Sequence, residues 1–255
     1  MKRYEFFTLS LVIMSFVLSN SLLVHAADHR NLEENHPTRI EDAYPIAYRS
    51  LEFQTRGGYE RNGEFGKDIG FAEFELKWGA LKNAHVVLGL PLQFGDEVEP
   101  DRNGDIVLEG LYNFNVETQT LPALSLKTEF SIPGGTDSQG LGFELMGIAT
   151  KGWGKNRFHL NAGYHRNSGA ALDERTHLYR VGIAFDRPID LDHLFVSDFF
   201  VDQSELKGDE PVYSFLVGVR KQINPWSVLN LGVGHGFGSR EAPDLIVTLG
   251  FQLNF

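Results

Sequence analysis

Residues 244–255 read Asp-Leu-Ile-Val-Thr-Leu-Gly-Phe-Gln-Leu-Asn-Phe, and their alternation decides the fold class. One parity is apolar throughout and carries Leu245, Val247, Leu249, Phe251, Leu253 and Phe255. The other parity carries Thr248, Gly250, Gln252 and Asn254. A period of two is the spacing of a β-strand with one apolar and one polar face. The segment is therefore predicted to be a strand that separates two different environments.

The same pattern recurs upstream in runs of about ten residues that turn residues separate. No stretch keeps a helical period for long, so the chain is predicted to be all-β. We count about twelve strands, over residues 48–59, 68–78, 84–94, 105–116, 121–132, 140–152, 156–166, 176–186, 193–203, 211–222, 226–237 and 244–255.

The polar residues at alternate positions of the strands have two explanations. They either face solvent on one side of a sheet or line the lumen of a barrel. Connections after odd-numbered strands are mostly longer than those after even-numbered strands, and the strand count is even. This alternation is typical of outer-membrane barrels with both termini in the periplasm. Because a bilayer cannot hydrogen-bond free backbone groups, a sheet that enters it must close on itself. The predicted fold is a closed antiparallel transmembrane β-barrel in the bacterial outer membrane.

The last strand resembles the final strand of bacterial outer-membrane β-barrels. In those proteins, an aromatic terminal residue is typical of the segment that the assembly machinery reads. The resemblance makes Phe255 a candidate assembly signal and implies outer-membrane lipids and the assembly machinery as partners.

The amino-terminal segment differs from the rest of the chain. Lys2 and Arg3 precede an apolar run, and a small-x-small pattern ends at Ala26, so residues 1–26 are predicted to be a cleaved signal peptide. An uncleaved anchor helix is the alternative, but serines interrupt the run. Residues 27–47 are a polar leader without a sustained period, expected on the periplasmic side, either in the periplasm or dipping into the barrel. The barrel is predicted to span residues 48–255.

Composition narrows the classes of function. The chain of 255 residues has no cysteine, which excludes disulfides, thiol catalysis and cysteine metal sites. Its net charge of −11 argues against nucleic acid as a partner, because phosphate binding needs clustered basic residues. The histidines lack the spacing of metal ligands, so we expect neither a metal site nor a cofactor.

Residues 71–153 carry a recognisable order of motifs. It runs from Glu73-Phe-Glu-Leu-Lys-Trp-Gly79 through Val87-Leu-Gly-Leu-Pro91 and Gly104-Asp105-Ile-Val-Leu to Ile132-Pro133-Gly134-Gly135. This order resembles the outer-membrane family named for the meta-pathway of phenol degradation. The resemblance implies a transporter of small, aromatic or hydrophobic solutes. One departure is the Gly110-Leu-Tyr112 end of the Gly104 strand, where a Lys-Tyr pair is commoner in the family.

Charged residues on the polar parity are the candidate lumen lining. They are Glu73, Glu75, Lys77, Asp105, Glu109, Lys127, Glu129, Glu144, Arg157, Arg180 and Arg220. As a functional set they would guide a small solute, as rings of charge do in pores. As a structural set they would fill a narrow barrel with ion pairs. Both interpretations stay open at this stage.

The predicted function is passive passage of small solutes through the polar lumen, without catalytic residues. A lipid hydrolase is one alternative, since His165 and Ser168 lie close in sequence and an imidazole can activate a hydroxyl. Their odd separation, however, places them on opposite faces of a regular strand. A structural or adhesive barrel is the other alternative, although short outer loops offer little area for adhesion.

Overall fold

The computed structural model describes residues 26–62, 67–95, 98–134, 140–166, 168–170 and 172–255, apart from the side chains of residues 67 and 98–103. The described strands are β1 (Leu51–Asn62), β2 (Lys67–Leu81), β3 (Ala84–Gly95), β4 (Val98–Asn103), β5 (Ile106–Asn115), β6 (Ala123–Ile132), β7 (Gly142–Trp153), β8 (Asn156–Arg166), β9 (His177–Pro188), β10 (His193–Asp202), β11 (Val212–Asn224), β12 (Ser227–Gly238) and β13 (Leu245–Asn254). The predicted signal peptide lies outside the described residues except for Ala26. Within the described part of the chain, no helix has the length and apolarity needed to cross a membrane.

Twelve of these strands close into one antiparallel barrel. The closing pair is β1 with β13, in register from Glu52 opposite Asn254 to Arg61 opposite Leu245. The predicted fold class and the pairing of the last strand with the first are therefore confirmed. The remaining strand, β4, pairs only with the end of β3. It was not predicted, because Val98–Asn103 has no alternation of apolar and polar residues.

Most strand boundaries agree with the prediction, and the largest shift is at the first strand. β1 begins at Leu51 rather than at residue 48. Arg49 has a φ of 68°, and the Ser50 hydroxyl donates to the Ala47 carbonyl at 2.5 Å. These two features form a turn that ends the regular register at Leu51, although Arg49 and Ser50 still bond through their backbones to Gly79 of β2.

The outer face of the barrel is apolar around its circumference. Leu90 on β3, Leu108 on β5, Ile183 on β9 and Leu231 on β12 are 48%, 45%, 57% and 57% exposed. In water such a surface would be strongly unfavourable, whereas hydrocarbon solvates it. The predicted outward rows of apolar side chains are thus confirmed as the exterior of the barrel.

Residues 26–50, hereafter the plug segment, lie inside the barrel. The Ala27 amide donates to the Pro225 carbonyl at 2.7 Å, which fixes the start of the segment at the turn between β11 and β12. Its middle is buried against the wall, and Leu32, Ile40 and Ala43 are at most 1% exposed. Of the two positions considered for the leader, it therefore occupies the one within the barrel. The predicted domain boundaries remain predictions.

Small residues in the wall make room for the plug segment. A Cβ atom on Gly232 of β12 would lie 2.6 Å from the Pro37 carbonyl oxygen and 2.5 Å from the Thr248 hydroxyl. Gly232, Gly234, Gly236 and Gly238 lie at alternate positions of β12, where the missing side chains leave space. At Gly232 the space is occupied by the plug segment.

Gly232→Ala is expected to push Pro37 away from the wall and to loosen the plug segment. We expect trypsin to cleave after Arg39 roughly tenfold faster than in the wild type, since about 1.4 kcal/mol of lost packing changes an equilibrium tenfold. Mass spectrometry of timed digests measures this rate. Gly147→Ala is the matched control, because its Cβ would meet nothing closer than the Ala162 carbonyl at 3.9 Å. Equal cleavage of the two variants would contradict the packing described.

Candidate functional site: the occupied lumen

The plug segment has almost no regular secondary structure, so its backbone amides need partners from outside. Gln222 of β11 accepts from the His29 amide at 3.3 Å, and side chains of the wall accept from four amides further along the plug segment. The pairs are Arg39 with Asp198 at 2.6 Å, Glu41 with Asn161 at 2.9 Å, Ala43 with Thr150 at 3.0 Å and Ile46 with His85 at 3.2 Å. The accepting residues lie on β10, β8, β7 and β3 in that order. The plug segment therefore follows the inner wall around the lumen before it enters β1.

Wall side chains also donate to carbonyl groups of the plug segment. The donors are Arg220 to His36 at 2.8 Å, Thr248 to Pro37 at 2.8 Å, Asn161 to Glu41 at 2.9 Å, and Asn113 and Ser125 to Ala43 at 2.8 and 2.6 Å. Asn161 thus bonds both backbone groups of Glu41. Many polar side chains on the inner face of the wall therefore form hydrogen bonds with this irregular backbone.

Two apolar contacts supplement these hydrogen bonds. Leu32 and Ile40 pack with Ala184, Leu194, Val196 and Phe200 of β9 and β10. Ala43 packs with Leu111, Ala123, Met146 and Ile148 of β5 to β7. These inward-facing apolar residues were not predicted from the sequence. Nothing in the sequence indicated that the plug segment would pack against them inside the lumen.

Lys127 on β6 is the centre of a buried ion-pair network and is 2% exposed. It contacts Glu34 of the plug segment, while its Nζ lies 3.0 Å from Glu109 and 3.7 Å from Glu41. Lys77 on β2 is 3% exposed, and its Nζ lies 2.5 Å from Glu33 Oε2 and 3.2 Å from Glu75 Oε2. Both lysines therefore bridge the wall to carboxylates of the plug segment, an arrangement closer to the structural interpretation of the charged lining.

The three predicted arginines also contact the plug segment. Arg157 pairs with Asp42 at 3.2 Å and with Asp186 at 2.8 Å. Arg180 pairs with Glu34 at 2.6 Å and with Glu144 at 2.5 Å. Arg220 is fully buried and, besides the His36 carbonyl, donates to Gln252 at 2.6 Å.

The other predicted residues lie apart from the plug segment or near its edge. Glu73 pairs with Arg56 of β1 at 2.6 Å. Asp105 precedes β5 and accepts from the Gly134 amide at 3.2 Å, so it lies at the strand end and not deep in the lumen. Glu129 lies opposite Glu109 across β5 and β6. The amide of Phe255 donates to the Leu51 carbonyl at 2.8 Å, and its role as an assembly signal stays a prediction.

Cavities lie beside the plug segment, and three of them bear on the site. The outer cavity has a volume of about 820 Å³ and is bounded by Arg39, Glu144 and Arg180 among others. The acidic chamber, of about 200 Å³, is enclosed between the wall and Glu34 and Glu41, and Glu144 and Arg180 line it too. A periplasmic cavity of about 280 Å³ lies at the other end. The outer cavity and the acidic chamber therefore adjoin at the Glu144–Arg180 pair.

The rim of the outer cavity is acidic. Burial raises the pKa of Glu205 above its ordinary value, and the neighbouring carboxylates of Glu241 and Glu174 act in the same direction. The Glu241 carboxylate also accepts from the Ser204 hydroxyl at 2.7 Å. The lining of the outer cavity consequently carries more acidic side chains than arginines, since five carboxyl groups line it beside Arg39 and Arg180.

The residues considered for hydrolysis are engaged elsewhere. The Ser168 hydroxyl donates to the Leu141 carbonyl at 2.5 Å, so its proton is not directed at an imidazole. His165 Nδ1 lies 3.8 Å from Glu144 Oε2. This geometry does not prepare Ser168 as a nucleophile.

Comparison with solved structures confirms the fold. An outer membrane channel from Pseudomonas putida F1 superimposes with a TM-score of 0.65 at 13% identity, over 84% of this chain and 98% of that one. The NanC porin gives a TM-score of 0.58 at 10% identity, over 79% and 98%. The KdgM porin, solved with disordered oligogalacturonate, gives 0.55 at 10% identity, over 81% and 99%.

No family model matches the sequence. No curated protein matches it either. At these identities the solved structures show a shared fold alone. The closed barrel and its apolar exterior agree with the predicted location in the bacterial outer membrane, and this location is accordingly confirmed.

Lys127→Met is expected to lower the free energy of unfolding by about 3–5 kcal/mol, because it leaves buried carboxylates without their cation. Guanidinium titration of the purified barrel in detergent measures the loss. Lys151→Met is the control: its side chain is 34% exposed and pairs with Glu117 at 3.0 Å, so its loss should stay below about 1 kcal/mol. Similar losses for both variants would show that the Lys127 network does not hold the plug segment.

Proposed function

We propose that the chain is an outer-membrane channel for small solutes, closed by the plug segment in the conformation described. The observation that carries the proposal is the outer cavity of about 820 Å³, which ends on Arg39 of the plug segment. A solute that enters the barrel from outside would thus meet the closing element directly. The predicted passive passage of small solutes through the lumen would then require the plug segment to move.

The contacts that hold the plug segment are of a kind that can be exchanged. Apart from the two apolar clusters that include Leu32, Ile40 and Ala43, they are hydrogen bonds and ion pairs. An example is the bidentate contact of Arg39 with Asp202, at 2.7 Å for both atom pairs. Buried ion pairs add little net stability, because desolvation offsets much of the attraction between the charges. Water or a solute can replace such partners at a lower cost than it could replace a packed apolar core.

Similar proteins support the proposal without deciding it. The structures compared above are named as a channel and as porins. The resemblance of residues 71–153 to the phenol meta-pathway family points to aromatic or hydrophobic solutes. The family and the solute are proposals, since no family model matches.

A disulfide between the plug segment and the wall tests the proposal. The Ala43 amide lies 3.0 Å from the Thr150 hydroxyl, so Ala43→Cys with Thr150→Cys places two cysteines on adjacent backbone segments of a chain that otherwise has no cysteine. We expect single-channel conductance in planar bilayers to be absent under oxidising conditions and to appear after reduction. The physical reason is that the bond prevents the plug segment from leaving the lumen.

The single variant Ala43→Cys serves as the control and should conduct equally under both conditions. A reduced double variant that stays silent in every recording would contradict a channel and favour a structural barrel. Equal conductance of the oxidised and reduced double variant would mean that solutes bypass the plug segment.

A further inference from the structure

Three glutamates lie side by side on the inner wall. Glu109 on β5 is in register with Glu129 on β6, and Glu129 is in register with Glu144 on β7. His165 on β8 continues the row next to Glu144. Residues opposite each other in neighbouring strands have Cβ atoms roughly 5 Å apart, and like charges at that distance are destabilising. A row of three carboxylates is therefore a cost to folding that no requirement of the barrel explains.

The row connects two of the cavities. Glu109 lines the acidic chamber, His165 lines the outer cavity, and Glu144 lines both. The outer two glutamates have basic partners, since Glu109 pairs with Lys127 at 3.0 Å and Glu144 pairs with Arg180 at 2.5 Å. Glu129 between them has no basic group within ion-pair distance among the described side chains.

Acidic side chains outnumber basic ones in the lining of the acidic chamber. Seven glutamates line it, against the three basic side chains of Lys77, Lys127 and Arg180. Arg56, which pairs with the lining residue Glu73 at 2.6 Å, offsets only one of the remaining carboxylates. Among the described residues the chamber therefore lacks the cations that would neutralise it.

Two buried carboxylate oxygens of this chamber are unsatisfied. Glu41 is 1% exposed and Glu109 is 8% exposed, and Oε1 of each has no hydrogen-bond partner among the described residues. His85 Nε2 lies 3.8 Å from Glu109 Oε1, which is too far for a hydrogen bond. An unpaired buried acceptor costs about 1–3 kcal/mol, and no partner among the described residues offsets that cost for either oxygen.

The chemistry of the chamber favours an ammonium group over a metal ion. Within the described part of the chain, no group of three or more His, Asp or Glu side chains is arranged to hold a metal. An ammonium group carries three donors and no acceptor, which suits carboxylates that are spread over several strands. The volume of about 200 Å³ corresponds to roughly seven water molecules, so only a small ligand fits.

We propose that the acidic chamber binds a small aliphatic amine with one or two ammonium groups, which reaches it from the outer cavity along Glu144, Glu129 and Glu109. This inference names the solute class of the proposed channel. The route of the amine through the barrel rests on the proposed channel function. Its binding in the acidic chamber does not. The carboxylate of Glu129, which has no basic partner among the described side chains, binds the ammonium group. Its neighbours Glu109 and Glu144 are paired with Lys127 and Arg180.

Calorimetric titration of the mature chain in detergent at low salt tests binding. The probes are butane-1,4-diamine, butane-1,4-diol and succinate, which have the same chain length and differ in charge. We expect saturable binding of the diamine alone. Binding of succinate or of the diol with an affinity equal to or above that of the diamine would overturn the proposal, as would the absence of diamine binding.

Variants locate the binding site. Glu129→Gln should weaken the affinity for the diamine at least about tenfold, because it removes a charged acceptor of the ammonium group. Asp190→Asn changes a carboxylate in the exposed turn between β9 and β10 and should leave the affinity unchanged. An unchanged affinity in Glu129→Gln, or an equal loss in Asp190→Asn, would overturn the assignment.

Ion selectivity separates this inference from the proposed function. In the reduced form of the disulfide variant, the reversal potential across a potassium chloride gradient should show a preference for potassium over chloride. A conducting channel without that preference would contradict the acidic path while leaving the channel intact. A silent barrel that still binds the diamine would contradict the channel and support the binding site.

Discussion

An irregular backbone enclosed in a barrel must find a partner for every buried amide and carbonyl. This constraint accounts for much of what the inner wall contains. Asn161, Thr150 and Asn113 are side chains that can bond backbone groups, and each lies where the plug segment passes. The outer face has no such requirement, because the ladder of the barrel satisfies its own backbone and the side chains need only be apolar.

The same constraint explains which parts of the structure could be predicted. Strand positions follow from a local period, so β8 was predicted with the bounds that are observed, Asn156 to Arg166. The closure of the sheet into a barrel was predicted because a bilayer offers free backbone groups no hydrogen-bonding partners. The path of residues 26–50 could not be predicted, since it depends on contacts such as Arg39 with Asp202, 163 positions apart in the chain.

Several residues of the predicted charged lining pair with carboxylates of the plug segment. Lys77, Lys127 and Arg180 do face the interior, and their partners include Glu33 and Glu34 of the plug segment. These acids could not be recognised from the sequence, because a segment without periodicity carries no signal of which way its side chains point. The ion pairs that fill the lumen and the excess acids that remain are two parts of one lining, so the two interpretations of the charged residues are compatible.

The central claim is that the plug segment is hydrogen-bonded to the inner wall, and amide hydrogen exchange of the purified barrel tests it most directly. The amides of Arg39, Glu41 and Ala43 should exchange as slowly as those of the neighbouring strands and far more slowly than those of the exposed loop at residues 119–120. Exchange of these amides at the rate of that loop would contradict the account, because it would mean that the wall does not hold the plug segment.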